Sequence, residues 1–80
     1  MDTMITLNDI FREVFDDDAI EITRTTTADD VDGWDSLSHT NLIVAVEMAF
    51  NVRFNLKDTR ALKDVGELID LIDRKLAEKG

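Results

Sequence analysis

Three residues near the middle of the chain have side chains that could do chemistry together: Asp35, Ser36 and His39, within Gly33-Trp34-Asp35-Ser36-Leu37-Ser38-His39. Aspartate, serine and histidine suggest nucleophilic catalysis, and positions 35 and 39 share a face if the segment is helical. The hydrolase reading nevertheless fails. A nucleophile and its base three residues apart on one helix diverge from the axis, no G-x-S-x-G elbow surrounds Ser36, and nothing marks an oxyanion hole. His39 is read instead as an exposed contact residue. Ser36 has a different opportunity. At the amino end of a helix its hydroxyl lies beside unpaired backbone N–H groups and the positive end of the dipole, a setting that favours an attached or bound phosphate. The plainer alternative is a small polar residue in a first helical turn, with Asp35 as an ordinary cap.

Metal chemistry finds little support. The runs Asp16-Asp17-Asp18 and Asp29-Asp30-Val31-Asp32-Gly33 offer hard oxygen ligands, but counting an EF-hand loop from Asp30 puts Trp34 at the third ligand position and Asp35 where glycine is required. Starts at Asp16 or Asp18 place Glu21 or Thr23 at that glycine position. A solvated acidic face with weak, nonspecific cation association is the simpler account. The chain has no cysteine and one histidine, which excludes disulfides, Cys-ligated zinc and multi-His sites.

The elements that must position these residues are helical. Leu7, Ile10, Phe11, Val14 and Phe15 follow the spacing of a one-faced helix, with Met4 one turn earlier, Thr3 or Thr6 as cap and the three aspartates at 16–18 as its end. The stretch to Asp35 has no helical period. It reads as a long loop anchored by Ile20, Ile22 and Val31, with room for one hidden helical turn, and Trp34 closes it against the next helix. Asp35 caps a mostly apolar second helix from Ser36 to about Phe50, in which Leu37, Asn41, Val44 and Met48 recur. Val52 and Phe54 turn inward by alternation, and residues 56–62 hold at most a short third helix. Asp64-Val65-Gly66-Glu67 has capping-box spacing and opens a fourth helix with Val65, Leu68, Ile69, Ile72 and Leu76 as its stripe, finished by Lys75 and Lys79. The expected fold is all-α: one domain over residues 1–80, a small irregular four-helix bundle of three longer helices and a short third, with a long loop between the first two.

Composition narrows the function classes. At 80 residues, 44% hydrophobic and 34% charged, the chain should fold, yet it lacks the bulk to enclose a private active site, so an enzyme is not expected. Met1-Asp2-Thr3-Met4 is not basic and leads into no apolar run, and a cytoplasmic location with no membrane association is the default expectation. The net charge of −9 is uneven: residues 1–35 carry eleven acids against Arg12 and Arg24, whereas the remainder balances seven acids with seven bases. Nucleic acid is therefore not an expected partner, while basic protein surfaces are. Residues 51–63 run the other way, with Arg53, Lys57, Arg60 and Lys63 against Asp58 alone.

Gly33-Trp34-Asp35-Ser36-Leu37 opening a helix in the middle of an acidic, cysteine-free, helical chain of 80 residues resembles the acyl carrier proteins, and the resemblance spans the whole chain. It implies that Ser36 is an attachment point, receiving 4'-phosphopantetheine from coenzyme A through a separate phosphopantetheinyl transferase, and that the thiol of the arm holds acyl groups as thioesters. By the same resemblance Asp35 would contact the transferase. Leu37, His39, Glu47, Lys57 and Arg60 would meet acyl-loading, chain-elongating or acyl-transferring enzymes, with the carrier acting as a monomer. Val44, Met48, Phe54, Leu62 and Ile69 would line any shelter for an aliphatic cargo. One departure matters. Carriers of primary fatty-acid synthesis have several carboxylates along the second helix, whereas here Ser38-His39-Thr40-Asn41 occupy its first turns and Glu47 is the only acid after Asp35. That favours a polyketide, nonribosomal or specialised-lipid pathway over the housekeeping one, and a fatty-acid pathway stays among the expected settings. The rival from another class is an acidic helical interaction module that carries no prosthetic group.

Overall fold

The first helix, α1 (Thr3–Val14), follows the spacing of its apolar residues, and Leu7, Ile10 and Phe11 are buried along one side. The structure, a computed structural model, describes residues 3–79; Met1, Asp2 and Gly80 lie outside it, so the reading of the first two residues has no counterpart here. Thr3 and Thr6 sit inside α1 rather than at its cap, and the Thr3 hydroxyl donates to Asp73 Oδ1 at 2.9 Å. The aspartates end the helix as expected: Asp16 turns left-handed at φ 50°, and Asp17 N–H returns to Arg12 O at 3.0 Å.

The loop over residues 15–35 contains one short 3-10 turn, Ala28–Asp30, and otherwise runs as irregular chain tied down at several points. Asn8 on α1 brackets it, donating from Nδ2 to Ile20 O at 3.2 Å and accepting Ile22 N–H on Oδ1 at 2.7 Å. Arg12 Nε adds a second bond to Ile20 O at 2.8 Å. Thr26, buried, accepts Thr23 N–H on its hydroxyl at 2.8 Å. These bonds satisfy backbone groups that a buried irregular segment would otherwise leave unpaired.

Helix α2 (Ser36–Phe50) is followed by a left-handed Asn51 at φ 54°, a short α3 (Leu56–Arg60) capped by the Asn55 side chain, and α4 (Val65–Lys79). Both α2 and α4 pack on α1, and Leu7, Phe11, Leu42, Val46, Leu68 and Ile72 form the centre of the core. The start of α4 departs from a simple capping box. Asp64 Oδ1 accepts Glu67 N–H at 2.9 Å, but the Glu67 carboxylate accepts Lys63 N–H at 2.7 Å, one residue earlier than the box predicts. Two further N–H groups of this first turn, Val65 and Gly66, donate into the long loop at Thr26 O and Arg24 O, at 2.9 and 2.7 Å. Gly66 allows that approach: a Cβ there would lie 2.8 Å from the Arg24 carbonyl oxygen. The loop thus caps α4. No helix of the described chain is long and apolar enough to cross a membrane.

Candidate functional site at the start of α2

Gly33 at φ +87° turns the chain into extended Asp35, which caps α2 by accepting Ser38 N–H at 2.9 Å. Ser38 completes the cap. Its Oγ accepts Asp35 N–H at 2.7 Å and donates to Gly33 O at 2.6 Å, so the turn before the helix and the first turn within it close on one another. Hydrogen bonding to the Ser38 N–H holds the Asp35 carboxyl below the usual carboxylate range. Ser38 was not among the expected site residues; its position three after an N-cap is the spacing of a box, but serine stands where glutamate or glutamine usually marks one.

Ser36 is the first residue of α2 and is exposed, and its hydroxyl has no hydrogen-bond partner among the described residues. It opens onto a groove of about 840 Å³ between α2 and α3. The groove runs past His39, Ile43 and Val44 on one side and past Phe54, Thr59 and Leu62 on the other. Of the five residues expected to line a shelter, Val44, Phe54 and Leu62 do so. Met48 is 78% exposed on the outside of α2, and Ile69 is buried in the main core away from the groove. The reason is that α2 is apolar on both sides. Leu42, Val46 and Phe50 take the inner one, so Leu37, Val44 and Met48 are left outward.

His39 corrects a second expectation. It is half-buried, and both ring nitrogens are engaged: Trp34 Nε1–H donates to Nδ1 at 3.1 Å, and Nε2 lies 3.2 Å from Thr59 O. An indole N–H can only donate and a carbonyl can only accept, so the neutral ring carries its proton on Nε2 and donates it to Thr59. The imidazole lies beside the Trp34 ring in nearly the same plane, 6.1 Å between centroids and 18° between planes, and Trp34 in turn stands edge-on to Phe11 at 5.2 Å. Trp34 closes the loop against α2 as expected, and His39 extends that closure to α3. The Ser36 hydroxyl is not among the bonds of His39, so the three residues do not form a relay.

The remaining expected contact residues divide. Leu37 is 75% exposed beside Ser36, and Lys57 and Arg60 are exposed on α3. Glu47 is half-buried, and its carboxylate accepts Phe54 N–H at 2.9 Å, fastening the segment after α2. Among the described residues no group of three histidine, aspartate or glutamate side chains converges as a metal site would.

No protein-family model and no curated protein sequence matches the chain. Among solved structures it is similar to the solution NMR structure of the holo acyl carrier protein from Geobacter metallireducens, at 54% identity, with a TM-score of 0.91, over 99% of this chain and 91% of that one. More than half of the positions agree over nearly the full length of both molecules, on the same helical frame that presents Ser36 at the head of α2, and the chain belongs to the acyl carrier protein family.

Proposed function

We propose that this protein is a cytoplasmic, monomeric carrier that bears 4'-phosphopantetheine on Ser36 and moves acyl intermediates between enzymes, without catalysing a step itself. One observation carries the reading: an exposed, unbonded serine hydroxyl stands at the first position of a long, well-capped helix and opens onto an apolar-walled groove. The residues fit the group. Attachment through Ser36 Oγ places a phosphodiester beside the positive pole of α2, and Asp35 and Ser38 hold that turn in shape without using the Ser36 oxygen. The group supplies a thiol for thioester formation. The chain supplies the oxygen, the electrostatic setting, the exposed Leu37 beside it, and a groove whose apolar walls at Val44, Phe54 and Leu62 suit an aliphatic cargo.

The outward face of α2 supports a pathway other than primary fatty-acid synthesis. It presents Leu37, Thr40, Asn41, Val44 and Met48, and the carboxylate of Glu47 is committed to a backbone N–H. A polyketide, nonribosomal or specialised-lipid synthase is the setting we assign. The test is intact mass. Incubated with coenzyme A and a broad-specificity phosphopantetheinyl transferase, the native chain gains one phosphopantetheinyl group, Ser36→Ala gains none, and the variant melts at nearly the native temperature because its hydroxyl is unbonded. A native chain that never gains the group refutes the carrier reading and leaves the interaction module.

A further inference from the structure

The charges around the groove differ in what they are bonded to. The three acids on its walls are each committed to a backbone N–H: Asp35 to Ser38, Glu47 to Phe54 and Asp64 to Glu67. The one acid on α3, Asp58, faces Arg74 and Lys75 of α4 at 3.8 and 4.0 Å. The bases are not committed in this way. Arg53, Lys57, Arg60 and Lys63 are exposed, and their side chains make no hydrogen bond or ion pair among the described residues. The other bases of the chain are bound within it: Arg12 to Ile20 O, Arg24 to Asp70, Arg74 and Lys75 to Asp58, and Lys79 to Asn51 O.

Three of these cations, Arg53, Arg60 and Lys63, lie beside exposed apolar surface. Arg60 and Lys63 share the Ser36 groove with Leu56, which is 63% exposed. Across the ridge made by Val44 and Glu47, a second depression of about 310 Å³ is bounded by Met48 and Arg53. Exposed apolar side chains on α2, Leu37, Val44 and Met48, and on α3, Leu56, thus share this face with free positive charge at Arg53, Arg60 and Lys63.

We infer that this combined α2–α3 face is the docking surface for a partner enzyme whose own face offers an apolar insert flanked by carboxylates, although the chain as a whole is strongly acidic. The inference rests on the carrier reading and names the kind of partner that reading requires. Charge complementarity selects the partner: unbonded guanidinium and ammonium groups around an apolar strip attract acidic groups and repel basic ones, setting orientation and association rate more than final affinity. An anionic membrane is the less fitting occupant. The net charge of −9 opposes an anionic bilayer as a whole, whereas a protein partner need match only the local face.

The test titrates the full isotope-labelled chain at low salt with two helical peptides of equal length. Each has leucine along one face; one is flanked by glutamate and the other by lysine. The glutamate peptide should bind roughly tenfold more tightly or better, weaken with added salt, and shift the amides of Val44, Met48, Arg53, Leu56 and Arg60. A combined Arg53→Glu, Lys57→Glu, Arg60→Glu variant should melt with the native chain and reverse the order of the two peptides. Equal or tighter binding of the lysine peptide to the native chain overturns the inference. So do shifts confined to residues 16–35, no binding by either peptide, or a variant that keeps the native preference. Vesicles of phosphatidylcholine and phosphatidylglycerol form the third arm, and binding to them in preference to the glutamate peptide would make the surface a lipid-facing one and also overturn it. Intact mass of the same sample reports separately whether Ser36 is modified, so failure of the carrier reading is distinguishable from failure of the docking surface.

Discussion

The loop over residues 15–35 and the segment around α3 both contribute walls to the Ser36 groove, and their order runs against their appearance. The loop is long and almost without regular structure, yet it is bracketed by Asn8 and Arg12 on α1, gives two carbonyls to the first turn of α4, and ties Arg24 to Asp70. The α3 segment has a proper helix, but of five residues, and only Thr59 of them is buried. It is held by the His39–Thr59 bond, the Glu47–Phe54 bond and two long ion pairs through Asp58. Resistance to opening follows where backbone groups find partners, not which segment has a regular label. The site therefore has one fixed wall and one wall that can give.

The comparison breaks most severely at Asn8. Asn8→Ala leaves the Ile22 N–H without a partner and Ile20 O with Arg12 alone, and we expect a loss of about 1–3 kcal/mol in denaturant unfolding; a negligible loss would make the fixed wall ordinary. Gly66→Ala comes next. Alanine in a helix interior usually stabilises by about 1 kcal/mol over glycine, but here its Cβ meets the Arg24 carbonyl, and the expected outcome is a net loss of about 1–2 kcal/mol with loosening of residues 24–26. On the other wall, His39→Ala should cost about 1 kcal/mol and speed amide exchange in α3 while leaving that of Ile22, Val65 and Gly66 nearly unchanged. Equal acceleration in both regions would dissolve the distinction.

The smallest effect concerns the hinge between the walls. Because the folded Asp35 carboxyl is held below its usual range, its contribution is present above the unfolded carboxylate's titration and lost as pH falls through the folded one. Melting temperature should therefore decline by a small increment at acid pH that Asp35→Asn, which keeps a capping oxygen but cannot ionise, does not show.

What could be read from the sequence was local. The start of α2 was legible to the residue because a cap, a turn glycine and the first apolar positions lie within a few residues of one another, and α4 was legible from its stripe. The ties of the long loop were not, since Asn8 meets residues 12 and 14 positions away and Arg24 meets Gly66, and neither residue type advertises such a partner. His39 was misplaced at the surface for the same reason: one of its partners lies 20 residues on, on α3. Met48 was misplaced because α2 is apolar on two sides and its pattern does not say which faces the core.

Trp34, the single tryptophan of the chain, lies on the groove, edge-on to a core ring and bonded to the histidine that holds the yielding wall. The molecule therefore contains its own fluorophore at the one place where the two walls meet. Release of Thr59 from His39 changes the surroundings of the indole N–H and ring, and with them the wavelength and intensity of emission. A change in the His39–Thr59 contact can accordingly be followed by stopped-flow fluorescence of the native chain, with no added dye and no substitution.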